Sequence, residues 1–172
     1  MRYDEVKRAA LAFLLEKNPD YAPVGIAHTG YVACLSALLA RTRGLDMEIA
    51  QTAAYLHDLW LHWHYPYDAE TARRHAHEGA LLAAEILRKI GAYSDAEIAT
   101  VSAMIENHDF LDQTDDPMSE VLKDADMLSH YLNTSAAGRE AAYHERVRRV
   151  LGEVGVTLGG AAPGTPSGAQ IE

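Results

Sequence analysis

An all-α, single-domain bundle of about six to seven helices is the fold class that the sequence predicts. Three observations carry it. Apolar residues recur with a helical period along almost the whole chain, and no stretch alternates as a strand does. Turn and capping residues punctuate that pattern at ordinary helix lengths. A balance of 48% apolar and 23% charged residues over 172 residues suits one globular domain with its own core.

The first helix is expected over residues 4–17, which are rich in Ala and Leu. It stops before Asn18-Pro19, because proline disfavours helix at the residue preceding it. A second helix is expected over 27–43, with an apolar stripe of Tyr31, Leu35, Leu38 and Leu39 and a stop at Gly44. Asp46 caps a third helix that reaches about residue 60. Residues 61–67, Leu-His-Trp-His-Tyr-Pro-Tyr, read as an aromatic loop. A fourth helix spans 69–90 and ends at Gly91. Ser94 with Glu97 three residues on is a capping-box pattern for a fifth helix through residue 108. Asp115-Asp116-Pro117 marks a loop, and two more helices follow over 119–132 and 136–151. Residues 152–172 hold six of the 12 glycines and two of the six prolines. That stretch buries too little apolar surface to offset its ordering entropy. A domain over 1–151 with a mobile Gly/Pro-rich tail over 152–172 is therefore expected.

Fifteen Lys and Arg against 25 Asp and Glu give a formal charge of -10. So acidic a surface argues against binding a nucleic-acid polymer, which needs clustered positive charge. A small phosphorylated substrate held through a metal stays open. The one cysteine, Cys34, excludes an intrachain disulfide and suits a reducing compartment. The longest early apolar run, residues 9–15, is too short for a membrane span, and its flanks are not those of a signal peptide. A cytoplasmic protein with no membrane partner is the expectation.

The nine histidines are the unusual feature. His28 opens the second helix on the side of its apolar stripe. His108 continues the stripe of Ile98, Val101 and Ile105, so it faces inward. His57 lies about 80° from the line of Ile49, Ala53 and Leu56, near the core edge. Asp58 projects opposite that line, so either the helix is buried all round or Asp58 faces water. Buried imidazoles and carboxylates are disfavoured unless paired, and one shared divalent cation satisfies several together. Imidazole and carboxylate ligands suit Fe, Mn, Zn, Co or Ni rather than Ca.

The order His28, then His57-Asp58, then Asp126 in Lys123-Asp124-Ala125-Asp126 resembles the HD-domain superfamily of metal-dependent phosphohydrolases. The segment Ala54-Tyr55-Leu56-His57-Asp58-Leu59 and the 29-residue step from His28 to His57 both fit the family pattern. The resemblance covers about residues 20–135. It implies an HD-type helical fold with a divalent transition metal held by His28, His57, Asp58 and Asp126. It further implies hydrolysis of a small phosphate ester, a nucleotide among the candidates, by metal-activated water. Some members carry two more histidines and a second metal. His75-Ala76-His77-Glu78-Gly79-Ala80 resembles the segment where a His precedes Gly-Ala by four residues, which selects His75, with His77 as second choice. His108, in Ile105-Glu106-Asn107-His108-Asp109, matches the other position. One or two ions are thus implied, with Asp58 as the bridging and catalytic carboxylate.

Periodicity leaves Asp124 and Asp126 open, because both flank the buried line of Val121, Ala125, Leu128 and Leu132. The resemblance points to Asp126 and leaves Asp124 to orient a ligating His. Members acting on stringent-response alarmones or deoxynucleoside monophosphates carry a glutamate soon after the His-Asp pair. Here Leu59, Trp60, Leu61 and His62 follow, and the Gly-Tyr-Pro element of cyclic-di-GMP phosphodiesterases is absent, which argues against those activities. His62 and His64, in the aromatic loop, are either surface loop histidines, the commoner case, or residues that line a pocket. Lys123, Arg73 and Arg74 are candidates for phosphate contact, although each reads more simply as an ordinary surface charge, while His130 and His144 read as exposed. Two competing readings remain: an HD-type di-iron oxygenase on the same six ligands, and a non-catalytic, metal-containing regulatory module.

Overall fold

Eight helices make up the residues that the computed structural model describes, 2–133 and 141–156, and no strand occurs among them. They are α1 (Arg2–Lys17), α2 (Ala22–Thr42), α3 (Met47–Leu56), α4 (Leu59–Trp63), α5 (Ala69–Ile90), α6 (Asp95–Asn107), α7 (Pro117–Asn133) and α8 (Ala141–Glu153). Local chemistry sets most of the ends. The Asp46 carboxylate accepts from the backbone N–H groups of Glu48 and Ile49, and Asp68 accepts from that of Thr71. Ser94 and Glu97 form the reciprocal capping box at the start of α6. Gly91 closes α5 at φ 70°, a left-handed conformation that favours glycine. Asp116 caps α7 through Met118 and Ser119, so Pro117 begins the helix rather than the preceding loop.

Three other elements also depart from expectation. α2 begins at Ala22, because Pro23 is accommodated in its first turn, and His28 therefore lies in the second turn rather than at the start. The expected third helix breaks at His57-Asp58, and part of the aromatic stretch becomes the five-residue α4. α8 runs to Glu153, past the expected boundary at residue 151; residues 157–172, with most of the expected tail, lie outside the described residues, as does the side chain of His144.

α3 is the centre of the bundle and packs against α1, α2, α5, α6 and α7. It is buried all round, from Ile49 and Ala50 through Thr52 to Leu56. α2 lies between α3 and α7, α5 pairs with α6, and α8 closes against α7. The buried face of α2 is Gly25, Thr29, Val32, Ala33, Ser36, Leu39 and Ala40. The expected stripe holds in part: Leu39 is buried and Leu35 packs against the core, while Tyr31 and Leu38 are exposed. Small residues let the neighbouring helices approach closely, so shape selects that face over hydropathy. By length and composition α2 is apolar enough to cross a membrane. In the fold it packs against α3 and α7 with the polar Thr29 and Ser36 buried.

α5 crosses the end of α3 at Gly79, where an added Cβ would stand 2.8 Å from the backbone oxygen of His57. Gly79→Ala is therefore expected to cost a net ~1–3 kcal/mol despite alanine's better helix propensity, since backbone rather than a flexible side chain must give way. Denaturant unfolding of the variant beside wild type checks this; an unchanged midpoint would show that the crossing is slack.

Candidate metal centre

The break between α3 and α4 is what builds the site. His57 ends α3 with helical angles, and Asp58 then leaves the helix at φ -102°, ψ 11°. That change of direction turns Asp58 inward, and it is 7% exposed. Both arms of the sequence alternative are thereby resolved: α3 is buried all round, and Asp58 does not face water.

Three histidines are oriented in the same way. Nδ1–H of His57 donates to the Ala54 carbonyl at 2.7 Å, that of His75 to Ala72 at 2.6 Å, and that of His108 to Ile105 at 2.6 Å. A carbonyl only accepts, so each bond places the proton on Nδ1 and leaves the Nε2 lone pair free to bind a cation. The Nε2 atoms converge on Asp58 from two sides. His28 and His57 each lie 3.5 Å from Asp58 Oδ2, and 3.4 and 3.5 Å from Asp126 Oδ1. His75 and His108 lie 3.5 and 3.6 Å from Asp58 Oδ1, and 3.1 Å from one another.

These atoms fit a cation. Nε2 of His28 and His57, Oδ1 of Asp58 and Oδ1 of Asp126 are buried with no hydrogen-bond partner. Such groups are rare in folded proteins and call for something that satisfies them together. Nε2 of His75 and His108 would bring two lone pairs face to face at 3.1 Å unless a proton or a metal lies between them. His28-His57-Asp58, Asp58-His75-His108 and His28-Asp126-His130 each offer ligand atoms within 4.8 Å of one another. Burial disfavours a protonated His28, yet Asp126 and Asp58 outweigh it and push the imidazole up to about 10. His108 rises to about 9 by the same contest, with Asp58 its main partner. Burial likewise opposes ionisation of the two carboxylates, and the surrounding histidines still hold them well below the usual range. The cluster favours positive charge at its centre.

Several other sequence readings need correction. Asp124 does not orient a histidine. It is fully buried on the opposite side of α7 and accepts from Arg43, from Arg146 at 2.6 Å and from Arg149 at 2.9 Å. Lys123 does not face a substrate, because its buried ammonium donates to the Phe110 and Gln113 carbonyls and to Asp115. Arg73 and Arg74 are exposed, and Arg74 pairs with Glu78. His77 turns outward onto Glu106, which leaves His75 in the cluster. His64 donates to the Trp60 carbonyl and packs on Trp60 and Trp63. His130 is exposed as read, but it has a site context: its Nε2 lies 3.5 Å from Asp126 Oδ2, a contact that raises its pKa.

A cavity of about 440 Å³ opens over the cluster, lined beyond it by Tyr21, His62, Tyr67, Asp109 and His130. His62 is buried in its wall, and burial depresses its imidazole to about 4. The sequence alone does not mark Tyr21, Tyr67 and Asp109 as site residues. Asp109 follows His108 directly, which was a usable signal; the tyrosines come from irregular segments, where periodicity says nothing.

Comparison with known proteins agrees with this geometry. Residues 25–131 match the model of the HD domain, a span that holds all six residues of the cluster. The crystal structure of a predicted HD superfamily hydrolase from an uncultured Thermotogales bacterium superposes with a TM-score of 0.61, at 24% identity over 86% of each chain. That likeness shows a shared fold. No curated protein matches this chain. With the family model spanning more than half of the sequence, the chain belongs to the HD domain family.

Proposed function

We propose that this chain is a metal-dependent phosphohydrolase acting on a small phosphate ester, with His28, His57, Asp58 and Asp126 holding one divalent transition metal. His75, His108 and the second oxygen of Asp58 hold another. The observation that carries the reading is the set of buried, unpartnered Nε2 and carboxylate atoms converging on the two oxygens of Asp58. Imidazole and carboxylate donors suit Fe, Mn, Co, Ni or Zn. A cation bound there supplies an acidified water, its pKa lowered from ~15.7 toward ~7, and positive charge against the phosphoryl oxygens.

The chain's own residues do the rest. The three carbonyl-anchored histidines hold their tautomers and keep Nε2 directed inward. Tyr21, Leu61 and Tyr67 wall the cavity and limit water. The described lining includes no Lys or Arg, so the metal carries the attraction for phosphate. A single phosphate on a small molecule suits that balance better than a polyphosphate or a nucleic-acid strand, and a cytoplasmic setting suits the one unpaired cysteine. The division of donors into two groups at Asp58 also supports a di-iron oxygenase as the second reading. An absorption band developing when the Fe(II)-loaded protein meets O2, without phosphatase activity under Mn, Co, Ni or Mg, would favour it.

Metal stoichiometry tests both sides of Asp58. Wild type is expected to hold close to two ions per chain, and His108→Ala close to one, with the protein still folded. Retention of two ions by the variant would make His108 a packed core residue and remove the second site.

A further inference from the structure

Among the polar side chains that line the cavity outside the two sets of metal donors, His62 carries a buried ring nitrogen with no hydrogen-bond partner. His62 lies one turn beyond Asp58 on α4, and its backbone N–H donates to the Asp58 carbonyl at 2.8 Å. The residue is 5% exposed, and its Nε2 is buried with no hydrogen-bond partner. Such a nitrogen is unfavourable unless some group outside the chain completes it.

The fold holds this ring in place. A Cβ at position 25 would stand 2.9 Å from Cγ and Cδ2 of His62, so Gly25 on α2 is the gap into which the imidazole fits. Tyr21 covers it, with ring centroids 5.6 Å apart. The Asn18 side-chain amide donates to the carbonyls of His62, Trp63 and Tyr65 and ties down the end of α4. The ring lies edge-on to His28, with centroids 5.7 Å apart, and lines the same cavity as His28, Asp58 and Asp126. Among the described residues, no group within ligand distance of one another includes His62.

We propose that His62 is a substrate-binding residue, whose Nε2 hydrogen-bonds an oxygen of the phosphate ester on the His28 side of the cavity. The proposal rests on the hydrolase reading above. The position suits it: the ring stands beside His28, outside the donor groups, in the wall of the cavity over the cluster, with one polar atom unused.

The test compares wild type, His62→Leu and His62→Gln, each loaded with Mn. Metal content, melting temperature, calorimetric affinity for inorganic phosphate, and KM and kcat for p-nitrophenyl phosphate are measured on all three. His62→Leu is expected to keep its metal and its melting temperature, to weaken phosphate binding about tenfold, and to raise KM, as loss of one hydrogen bond to a charged group does. His62→Gln, which restores a polar group, recovers part of that affinity, and it carries the comparison if the leucine variant folds poorly. Phosphate affinity within twofold of wild type in both variants overturns the proposal, and so does a loss of metal from either, which would make His62 a ligand. A metal-loaded wild type that neither binds phosphate nor cleaves the ester overturns the hydrolase reading itself, an outcome visible before any variant is compared.

Discussion

His57→Ala and Asp58→Ala are expected to abolish metal-dependent hydrolysis and to strip the chain of most of its metal. His57 brings one fully buried Nε2 to the centre, and Asp58 offers one oxygen to each side. Loss of a direct donor should weaken metal affinity by more than the roughly 10–100-fold that removing an outer partner costs. A metal that binds only the folded chain adds about 2.7 kcal/mol of stability at a concentration 100 times its Kd. Wild type should therefore melt higher when metal is added, and both variants should lose that rise. Melting curves with and without metal, beside elemental analysis, make the measurement. Either variant keeping full activity and full metal content would end the metal-centre reading.

Asp124→Ala is expected to destabilise the fold by about 3–5 kcal/mol, the effect of removing one partner from a buried ion network. The carboxylate is fully buried and joins Arg43, at the C-terminal end of α2, to Arg146 and Arg149 of α8. Without it three guanidinium groups converge with no central counter-charge, although Glu120 and Glu153 still neutralise part of them. Metal binding should survive at saturating metal, because Asp124 touches none of the donors. Denaturant unfolding separates this from the role expected from the sequence. A variant of normal stability that had lost its metal would return Asp124 to the metal centre.

The contrast between these two aspartates shows where sequence reading stops. Residues two apart on a helix are turned by about 200°, so Asp124 and Asp126 flank one buried line on opposite sides. Periodicity places both at the core edge and does not say which edge faces the histidines. Lys123 is similar: in sequence it is a cation beside a ligand, and only the path of the 109–116 loop gives it the Phe110 and Gln113 carbonyls. His62 lies on neither a stripe nor a motif, and its neighbour His28 comes from α2, whereas His130 stands four residues after Asp126 on α7, a pairing that helical period makes legible.

The sequence by itself determined the all-α class, the ends of α5 and α6, the inward turn of His108 and the grouping of histidines and aspartates that resembles the HD family. All of these depend on contacts within a few residues, on helical period, or on a spacing along the chain. The tertiary structure alone decided the packing face of α2, the inward turn of Asp58 at the α3–α4 break, and the separate surroundings of Asp124 and Asp126. Each of these depends on which helix lies opposite and how closely it approaches. That is set by the shape of residues far apart in the chain, such as Gly79 against the His57 carbonyl and Gly25 against His62.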